Sequence, residues 1–144
     1  MIKAEDLRIG DLVKINENCS LKEGVISYIT EIRTRGIFEK EDCVKLKHFD
    51  SDWEFGVWCC NIDPIPLTPE ILEKNGWKKK REGWYIKNID KYDYLSAEFE
   101  YEDGIRVFLK RAVNGLYAKL NTANNVHELQ HILWALGESA NLTI

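Results

Sequence analysis

The sequence predicts an α+β protein in which a small SH3-like β-barrel is followed by a unit made of a helix, an antiparallel meander and a second helix. Three observations lead to this prediction. The first half contains only short segments of strand type, all three prolines lie between residues 64 and 69, and apolar residues near residue 130 recur at helical spacing. We expect two domains, at residues 1–66 and 67–144.

The composition is that of a globular protein able to fold without disulfides or metal. Of 144 residues, 44% are hydrophobic and 31% are charged, and a chain of this length buries roughly two-thirds of its unfolded surface. The first residues lack the continuous apolar stretch of a signal peptide, and no later stretch approaches the roughly 18 apolar residues of a membrane span. We therefore expect a cytoplasmic protein without a membrane partner.

Four segments of the first half are predicted strands, because each is rich in β-branched or aromatic residues and is bounded by polar or glycine-containing stretches. They are residues 11–15, 24–32, 43–49 and 57–62. A short antiparallel sheet buries its apolar face best by curling, so these strands favour a small SH3-like barrel.

The segment from Asp63 to Pro69 separates the two predicted domains. Proline fixes φ and biases the preceding residue toward extended geometry, so neither a helix nor a central strand is expected to pass through this segment. Thr68 is a suitable N-cap and Pro69 a suitable first helical residue. A helix is therefore predicted at residues 69–75, ending at Gly76.

The second half is predicted to be a meander at residues 77–121 with one face in water. Its strands are expected at residues 77–81, 84–88, 95–102, 105–112 and 116–121. Small or apolar residues alternate with acidic residues in 96–102, which is the period of a half-exposed strand. The apolar spacing then becomes helical at residues 126–136, ended by Gly137, and this helix should cover the dry face of the sheet.

The charge of the two halves argues against nucleic-acid binding. Residues 1–66 carry 9 Lys/Arg and 13 Asp/Glu, while residues 67–144 carry 11 of each, which gives the net charge of −4. Neither half has the strongly basic balance usual in proteins that bind phosphate backbones.

The four cysteines, at positions 19, 43, 59 and 60, show no CxxC spacing, and Cys59 and Cys60 would point to opposite faces of a strand. Reduced, packed thiols are expected.

The sharpest motif is HELQH at residues 127–131. In zinc hydrolases the HExxH spacing places two imidazoles on one helix face, with the glutamate positioned to activate a metal-bound water. A helical projection turns His127 and His131 away from the aliphatic stripe, and Glu138 lies too far along the helix to be the third ligand. We therefore expect a solvated polar face with no metal and no cofactor. If any metal binds, His127 and His131 are its ligands.

A basic run on a predicted hairpin is a candidate nucleic-acid contact. It consists of Lys78, Lys79, Lys80 and Arg81. Such cations hold phosphates while nearby exposed rings stack on bases. In the favoured alternative, Trp77, Trp84 and Ile86 face the core, and the cations form a soluble strand edge that resists edge-to-edge pairing.

Aromatic residues supply a second candidate binding feature. Alternation places Trp53 and Phe55 on one face of a strand, where rings of a small barrel line a ligand or peptide groove. Packing of these rings in the core is the favoured alternative. Trp134, beside the histidines on the predicted helix, hints at a contact there.

Three segments carry a resemblance to a known family. They are LRIGDLV at residues 7–13, IDPIPLTPEILEKNGW at residues 62–77 and VHELQH at residues 126–131. The chain resembles a family of uncharacterised proteins from gut bacteria and their prophages with an RIGNLV-like start, an IPLTEEWLLKFGF-like middle and a VHQLQNLYFALTG-like end. The resemblance implies a phage-type or mobile-element context and transfers no activity or site residues. Glu128 and His131 stand where the family pattern has Gln and Asn, which argues further against zinc.

The sequence therefore predicts a non-enzymatic binding or assembly module of prophage or mobile-element type, with a protein partner. Two β-rich units carry aromatic and charged edges, and the sequence shows no complete catalytic constellation. The first alternative is a nucleic-acid-associated accessory protein that uses the basic edge at residues 78–81. The second alternative is a minimal zinc hydrolase that uses HELQH.

Overall fold

The computed structural model describes residues 2–33 and 41–144. The chain divides into two compact units, Met1–Ile65 (unit 1) and Pro66–Ile144 (unit 2). Each unit contains one five-stranded antiparallel sheet, and unit 2 also contains both α-helices, so the predicted α+β class is confirmed. In the part of the chain described, no helix combines the length and apolar character needed to cross a membrane.

The strands of unit 1 form sheet 1. They are β1 (Leu12–Ile15), β2 (Ile26–Arg33), β3 (Cys43–Lys47), β4 (Glu54–Trp58) and β5 (Ile62–Pro64). Their order is β4-β3-β2-β1-β5, so β4 and β5 are the edges and β5 returns to pair with the first strand. Short 3-10 turns at Ala4–Asp6 and Cys59–Asn61 precede β1 and β5.

Sheet 1 differs from the predicted arrangement in two respects. It does not close into a barrel among the residues described, because β4 and β5 each pair on one side only. The predicted strand at residues 57–62 is also wrong, because this apolar run spans the end of β4, the turn Cys59–Asn61 and the start of β5. Cys59 and Cys60 therefore lie in a turn. Pro64 ends an edge strand, where its missing N–H costs no ladder hydrogen bond.

One face of sheet 1 carries the core of unit 1. The core contains aliphatic side chains from β1, β2, β3 and β5, including Val13, Ile15, Ile29, Val44, Leu46 and Ile62. A polar pair lies at its margin, where the Oγ of the buried Ser27 is 2.6 Å from Nδ1 of His48. The His48 ring in turn lies 4.6 Å from that of Phe55. This pair ties β2 to the segment after β3.

Unit 2 contains sheet 2, and its predicted meander is confirmed. The strands are β6 (Lys78–Arg81), β7 (Trp84–Asn88), β8 (Asp93–Glu98), β9 (Arg106–Arg111) and β10 (Tyr117–Thr122), and each pairs with the next. Helix α1 (Pro69–Lys74) lies beside β6, and helix α2 (Val126–Ala135) lies beside β10.

Local signals position both helices. The Thr68 hydroxyl accepts a hydrogen bond from the Ile71 backbone N–H at 3.4 Å, as expected for an N-cap. Gly137, with φ of 73°, follows α2 in the left-handed conformation that glycine adopts without strain. Helix α1 begins at Pro69 as predicted, and both helices end one residue before their predicted ends, α1 at Lys74 and α2 at Ala135.

The two faces of sheet 2 have different characters. The inner face carries the buried residues Tyr85, Leu95, Ala97 and Val107, which are register neighbours across β7, β8 and β9. The outer face includes Trp84, Ser96 and Phe108. The predicted strand at 95–102 ends at Glu98. Ser96 is fully buried rather than wet, since it lies between its register partners Ile86 and Phe108 and Trp84 Nε1 donates to its Oγ at 2.6 Å.

Candidate functional sites

The glutamate of HELQH has a structural role at the start of α2. Oε2 of Glu128 accepts hydrogen bonds from the backbone N–H groups of Asn124 at 2.7 Å and Asn125 at 2.9 Å. These donors would otherwise lack partners at a helix N-terminus. The carboxylate that a zinc hydrolase would use to activate water therefore caps the helix.

The histidines of this motif are not on a solvated face, which corrects the prediction. His127 is buried, with 3% of its surface exposed, and His131 is half-buried. Their ring centroids lie 5.8 Å apart. The neighbouring Gln130 is also buried, because the segment after α2 folds back and Ala140 O accepts a hydrogen bond from its Nε2 at 3.0 Å. Within residues 2–33 and 41–144, no three His, Cys, Asp or Glu side chains are grouped to hold a metal.

A recess in unit 1 is called here the β4 groove. It has a volume of about 680 Å³. Its lining comprises Asn18, Cys19, Ser20, Leu21, Cys43, Phe55, Gly56, Val57, Trp58 and Asn61. Successive residues of a strand point to opposite faces, so a recess that touches four consecutive residues of β4 runs along the edge of that strand. Among the described strands, β4 pairs only with β3, so it is an edge strand of sheet 1, and the groove also touches Cys43 on β3.

A buried asparagine fixes the wall of the β4 groove. The side-chain amide of Asn16 donates to Cys60 O at 2.9 Å and to an Asp63 carboxylate oxygen at 3.3 Å, while its Oδ1 accepts from the Asn18 backbone N–H at 3.0 Å. Asn61 Nδ2 donates to Asn18 O at 2.9 Å. The turn before β5 and the segment after β1 are therefore held together as one surface.

The two tryptophans of this region have different positions. Trp58 lines the β4 groove with 46% of its surface exposed, whereas Trp53 is 83% exposed and is not among the lining residues. Phe55 contacts both the core of unit 1 and the groove. The predicted pairing of Trp53 with Phe55 on one strand face is therefore wrong, because β4 begins only at Glu54.

The four cysteines are free thiols. Burial raises the pKa of the Cys59 thiol to about 11, so it is protonated and unreactive at neutral pH. A hydrogen bond from Cys60 Sγ to the Glu41 carboxylate at 2.9 Å raises the pKa of Cys60 as well. Cys19 and Cys43 line the β4 groove as small apolar side chains.

No protein-family model matches this chain, and no curated protein or solved structure matches it. Function is therefore inferred from the chemistry of the surfaces.

The outer face of sheet 2 is the second candidate site. Lys110 Nζ lies 5.3 Å from the ring centroid of Trp84 and 5.2 Å from that of Phe108, and it donates to Glu98 Oε1 at 2.5 Å. Burial disfavours the ionised form of Glu98, but hydrogen bonds from Lys110, Ser96 and Tyr101 outweigh this effect and lower the pKa of the carboxyl. The centre of this face is thus a preformed network of charged and aromatic groups.

The predicted basic run lies at one edge of this sheet. Lys78, Lys79, Lys80 and Arg81 form β6 and are all exposed. Trp77 is buried, as the core-packing interpretation required, but Trp84 and Ile86 are only half-buried and lie on the outer face, because Tyr85 occupies the inner one. The basic run therefore lies beside the outer face of sheet 2, which carries aromatic residues. Trp134, on α2, is exposed and is not among the residues that line the β4 groove.

Sequence reasoning missed most of the β4 groove. Its wall depends on Asn16, Asn18 and Asn61, which lie in segments without periodicity. The closely spaced asparagines at positions 16 and 18 were the available signal, since such side chains commonly bond to nearby backbone in turns.

Proposed function

We propose that unit 1 is a peptide-binding module, in which the β4 groove receives an extended segment of a protein partner. The observation that carries this proposal is a recess that touches four consecutive residues of the edge strand β4 and is lined by the exposed Trp58. This function is a binding role and requires no catalytic group.

The backbone of β4 supplies the first element of recognition. An edge strand presents N–H and C=O groups that an extended peptide can pair with, as in other complexes where a peptide adds a strand to a sheet. Gly56 lies in the middle of this edge, and no atom lies within 4 Å of the position its Cβ would occupy. The lack of a side chain there keeps the groove open for a second backbone.

Side chains of the β4 groove supply selectivity. Trp58 and Phe55 offer ring surface to an apolar or proline side chain, and aromatic residues are the usual anchors of such interfaces. The hydrogen bonds of Asn16 hold the opposite wall in place before the peptide arrives. A preorganised wall reduces the entropy lost on binding.

The charge of unit 1 favours a basic partner segment. Its residues carry 9 Lys/Arg against 13 Asp/Glu, so unit 1 holds the whole net charge of the chain. Glu41 lies against Cys60 at the turn that precedes Asn61, which places one carboxylate next to the groove wall. Opposite charge on the peptide would speed association and make binding weaker at high salt.

We also propose that unit 1 is a small barrel of the SH3-like type. This proposal is supported by a strand order in which β5 returns to β1 after the turn Cys59–Asn61, as a small curled sheet requires. The mobile-element context implied by the family resemblance is likewise a proposal, and it fits an assembly module that binds a segment of another protein.

Selection from a display library of short random peptides on the full-length protein tests this function. Gly56→Leu is the informative variant, because it places a side chain at the lining of the β4 groove at a position with ordinary backbone geometry and free space. Trp53→Ala is the matched control, since it removes an exposed ring outside the groove.

The proposal expects enriched peptides with basic and apolar residues that bind the wild type and Trp53→Ala equally and lose binding to Gly56→Leu. No enrichment, or peptides that bind Gly56→Leu as well as the wild type, would reject a role for the β4 groove.

A further inference from the structure

The outer face of sheet 2 concentrates positive charge. The strand register places on it one carboxylate, Glu98, and five cations, which are Lys78, Arg81, Arg106, Lys110 and Lys119. Two further carboxylates outside the strands, Glu100 and Asp103, pair with Arg81 and Arg106. The chain as a whole has a net charge of −4. This face is therefore electrically distinct from the rest of the molecule.

Aromatic rings lie between these cations. One continuous row of register partners crosses all five strands and consists of Lys78, Ile86, Ser96, Phe108 and Lys119. Trp84 and Tyr94 on β7 and β8, and Tyr117 on β10, flank this row on the same face. Rows of cations and rings across an antiparallel sheet suit a flexible anionic chain whose bases stack on the rings.

Most of the cations can exchange their present partners for phosphates. Arg81 pairs with Glu100 in a largely exposed pair, and such pairs contribute little to stability. Arg106, which is 31% exposed, makes a two-bond pair with Asp103 and keeps this partner. Lys119 reaches Asp103 only at 4.0 Å. Lys78 has no ion pair among the described residues. Lys110, whose pair with Glu98 is mostly buried, stays in the network.

The Tyr117 ring is also accessible. Tyr117 is 70% exposed and lies edge-on to Phe108 with ring centroids 6.0 Å apart. The two rings border a recess of about 280 Å³ that also touches Glu98, Tyr101, Arg106 and Lys110. The Arg106 guanidinium carbon lies 3.7 Å from the Tyr101 ring centroid. A base inserted here would contact the exposed Tyr117 ring near Arg106 and Lys110, while the Glu98 carboxylate stays paired with Lys110.

From this juxtaposition we infer that the outer face of sheet 2 binds single-stranded nucleic acid. Single strands are favoured over a duplex because stacking on Tyr117 and Trp84 needs bases that are not already stacked in a helix. They are favoured over an acidic polypeptide because carboxylate side chains have no flat surface that would stack on the rings. RNA and DNA share the chemistry that this face recognises.

Fluorescence anisotropy with the full-length protein tests the inference. The probes are labelled oligothymidylate and oligouridylate of about 15 nucleotides, a DNA duplex of the same length, polyphosphate and polyglutamate, at about 50 mM and about 200 mM salt. The variants are Tyr117→Leu and Lys78→Ala. Lys79→Ala is the matched control, because Lys79 is an exposed neighbour on β6 that the register assigns to the inner face with Tyr85.

The inference expects binding of at least one single strand that weakens as salt rises. Tyr117→Leu should reduce affinity about 5- to 150-fold, the range for losing one stacked base. Lys78→Ala should reduce the slope of log affinity against log salt concentration by about one, the value for loss of one phosphate contact. Lys79→Ala should leave both the affinity and this slope unchanged. The ratio between the two oligonucleotides distinguishes RNA from DNA as the ligand.

Three results would overturn the inference. One is no binding of either single strand at the lower salt. The second is equal binding of the duplex, polyphosphate or polyglutamate, which would mean that charge alone is recognised. The third is an equal effect of Lys78→Ala and Lys79→Ala, which would place the contact away from the outer face.

Discussion

Trp58 lines the β4 groove, whereas Trp53, five positions earlier, lies outside it with most of its ring in solvent. The two residues belong to the same aromatic cluster in the sequence, yet only one is placed to bind a partner. This difference supplies a matched pair of variants.

Trp58→Ala should weaken binding of a selected peptide by roughly 30-fold or more, because truncating a central tryptophan in an interface typically costs about 2 kcal/mol or more. Trp53→Ala should change the affinity less than about twofold. Isothermal titration calorimetry measures both. Equal losses would show that the peptide lies elsewhere.

Asn16→Ala should lower the free energy of unfolding by about 1–3 kcal/mol, because Cys60 O and the Asn18 N–H lose their hydrogen-bond partner in a buried setting. Urea unfolding measures the effect. Asn18→Ala is the control, since Asn18 contributes backbone atoms to these contacts. A loss with Asn18→Ala as large as that with Asn16→Ala would contradict the proposed role of the Asn16 side chain.

Gly104→Ala should destabilise unit 2 by about 1–3 kcal/mol or more. Gly104 has φ of 113°, and a Cβ there would lie 1.9 Å from Asn124 Oδ1, which accepts a hydrogen bond from the Ile105 N–H. Gly56→Ala, at an unstrained and open position, should cost nothing. Thermal unfolding measures the melting temperatures of the two variants. Equal melting temperatures would contradict the predicted strain at Gly104.

The Glu98 network predicts a pH dependence. Because the folded state lowers the pKa of Glu98, its ionised form stabilises the fold above its ordinary value of 4.5, and this contribution is lost as the pH falls through the lower folded value. The difference in unfolding free energy between wild type and Glu98→Gln should therefore shrink as the pH is lowered from 7 toward 3. A difference independent of pH would contradict the network.

Glu128→Ala should lower the free energy of unfolding by about 1 kcal/mol, as expected for loss of a helix cap. Denaturant unfolding tests this, with metal content measured alongside. If Glu128 acts only as a helix cap, Glu128→Ala should lower the free energy of unfolding by the same amount with and without added zinc. A loss that appears only when zinc is present would restore the hydrolase hypothesis for HELQH.

Local signals with a specific chemistry allowed the helices and the meander to be predicted. Thr68 followed by Pro69 marks the start of α1, and Gly137 marks the end of α2, because capping depends on few neighbouring residues. The break between β4 and β5 was missed because, apart from Asn61, residues 57–62 are all apolar, whereas the turn at Cys59–Asn61 determines where the strands end.

The sites were less predictable than the elements because they depend on contacts between distant residues. Lys78 and Lys79 look alike in the sequence, and only the register with Ile86 and Tyr85 assigns them to opposite faces. His127 was expected in water because a helical projection contains no information about what folds over the helix. The groove wall required Asn16 to meet Cys60, 44 positions away.

The most direct test of the proposed function is an NMR titration of the isotope-labelled protein with a selected peptide, following backbone amide shifts. A peptide in the β4 groove should move the amides of residues 18–21, 55–58 and 61 most, in the wild type and not in Gly56→Leu. Shifts confined to unit 2, or an unchanged response in Gly56→Leu, would contradict the assignment of peptide binding to this groove.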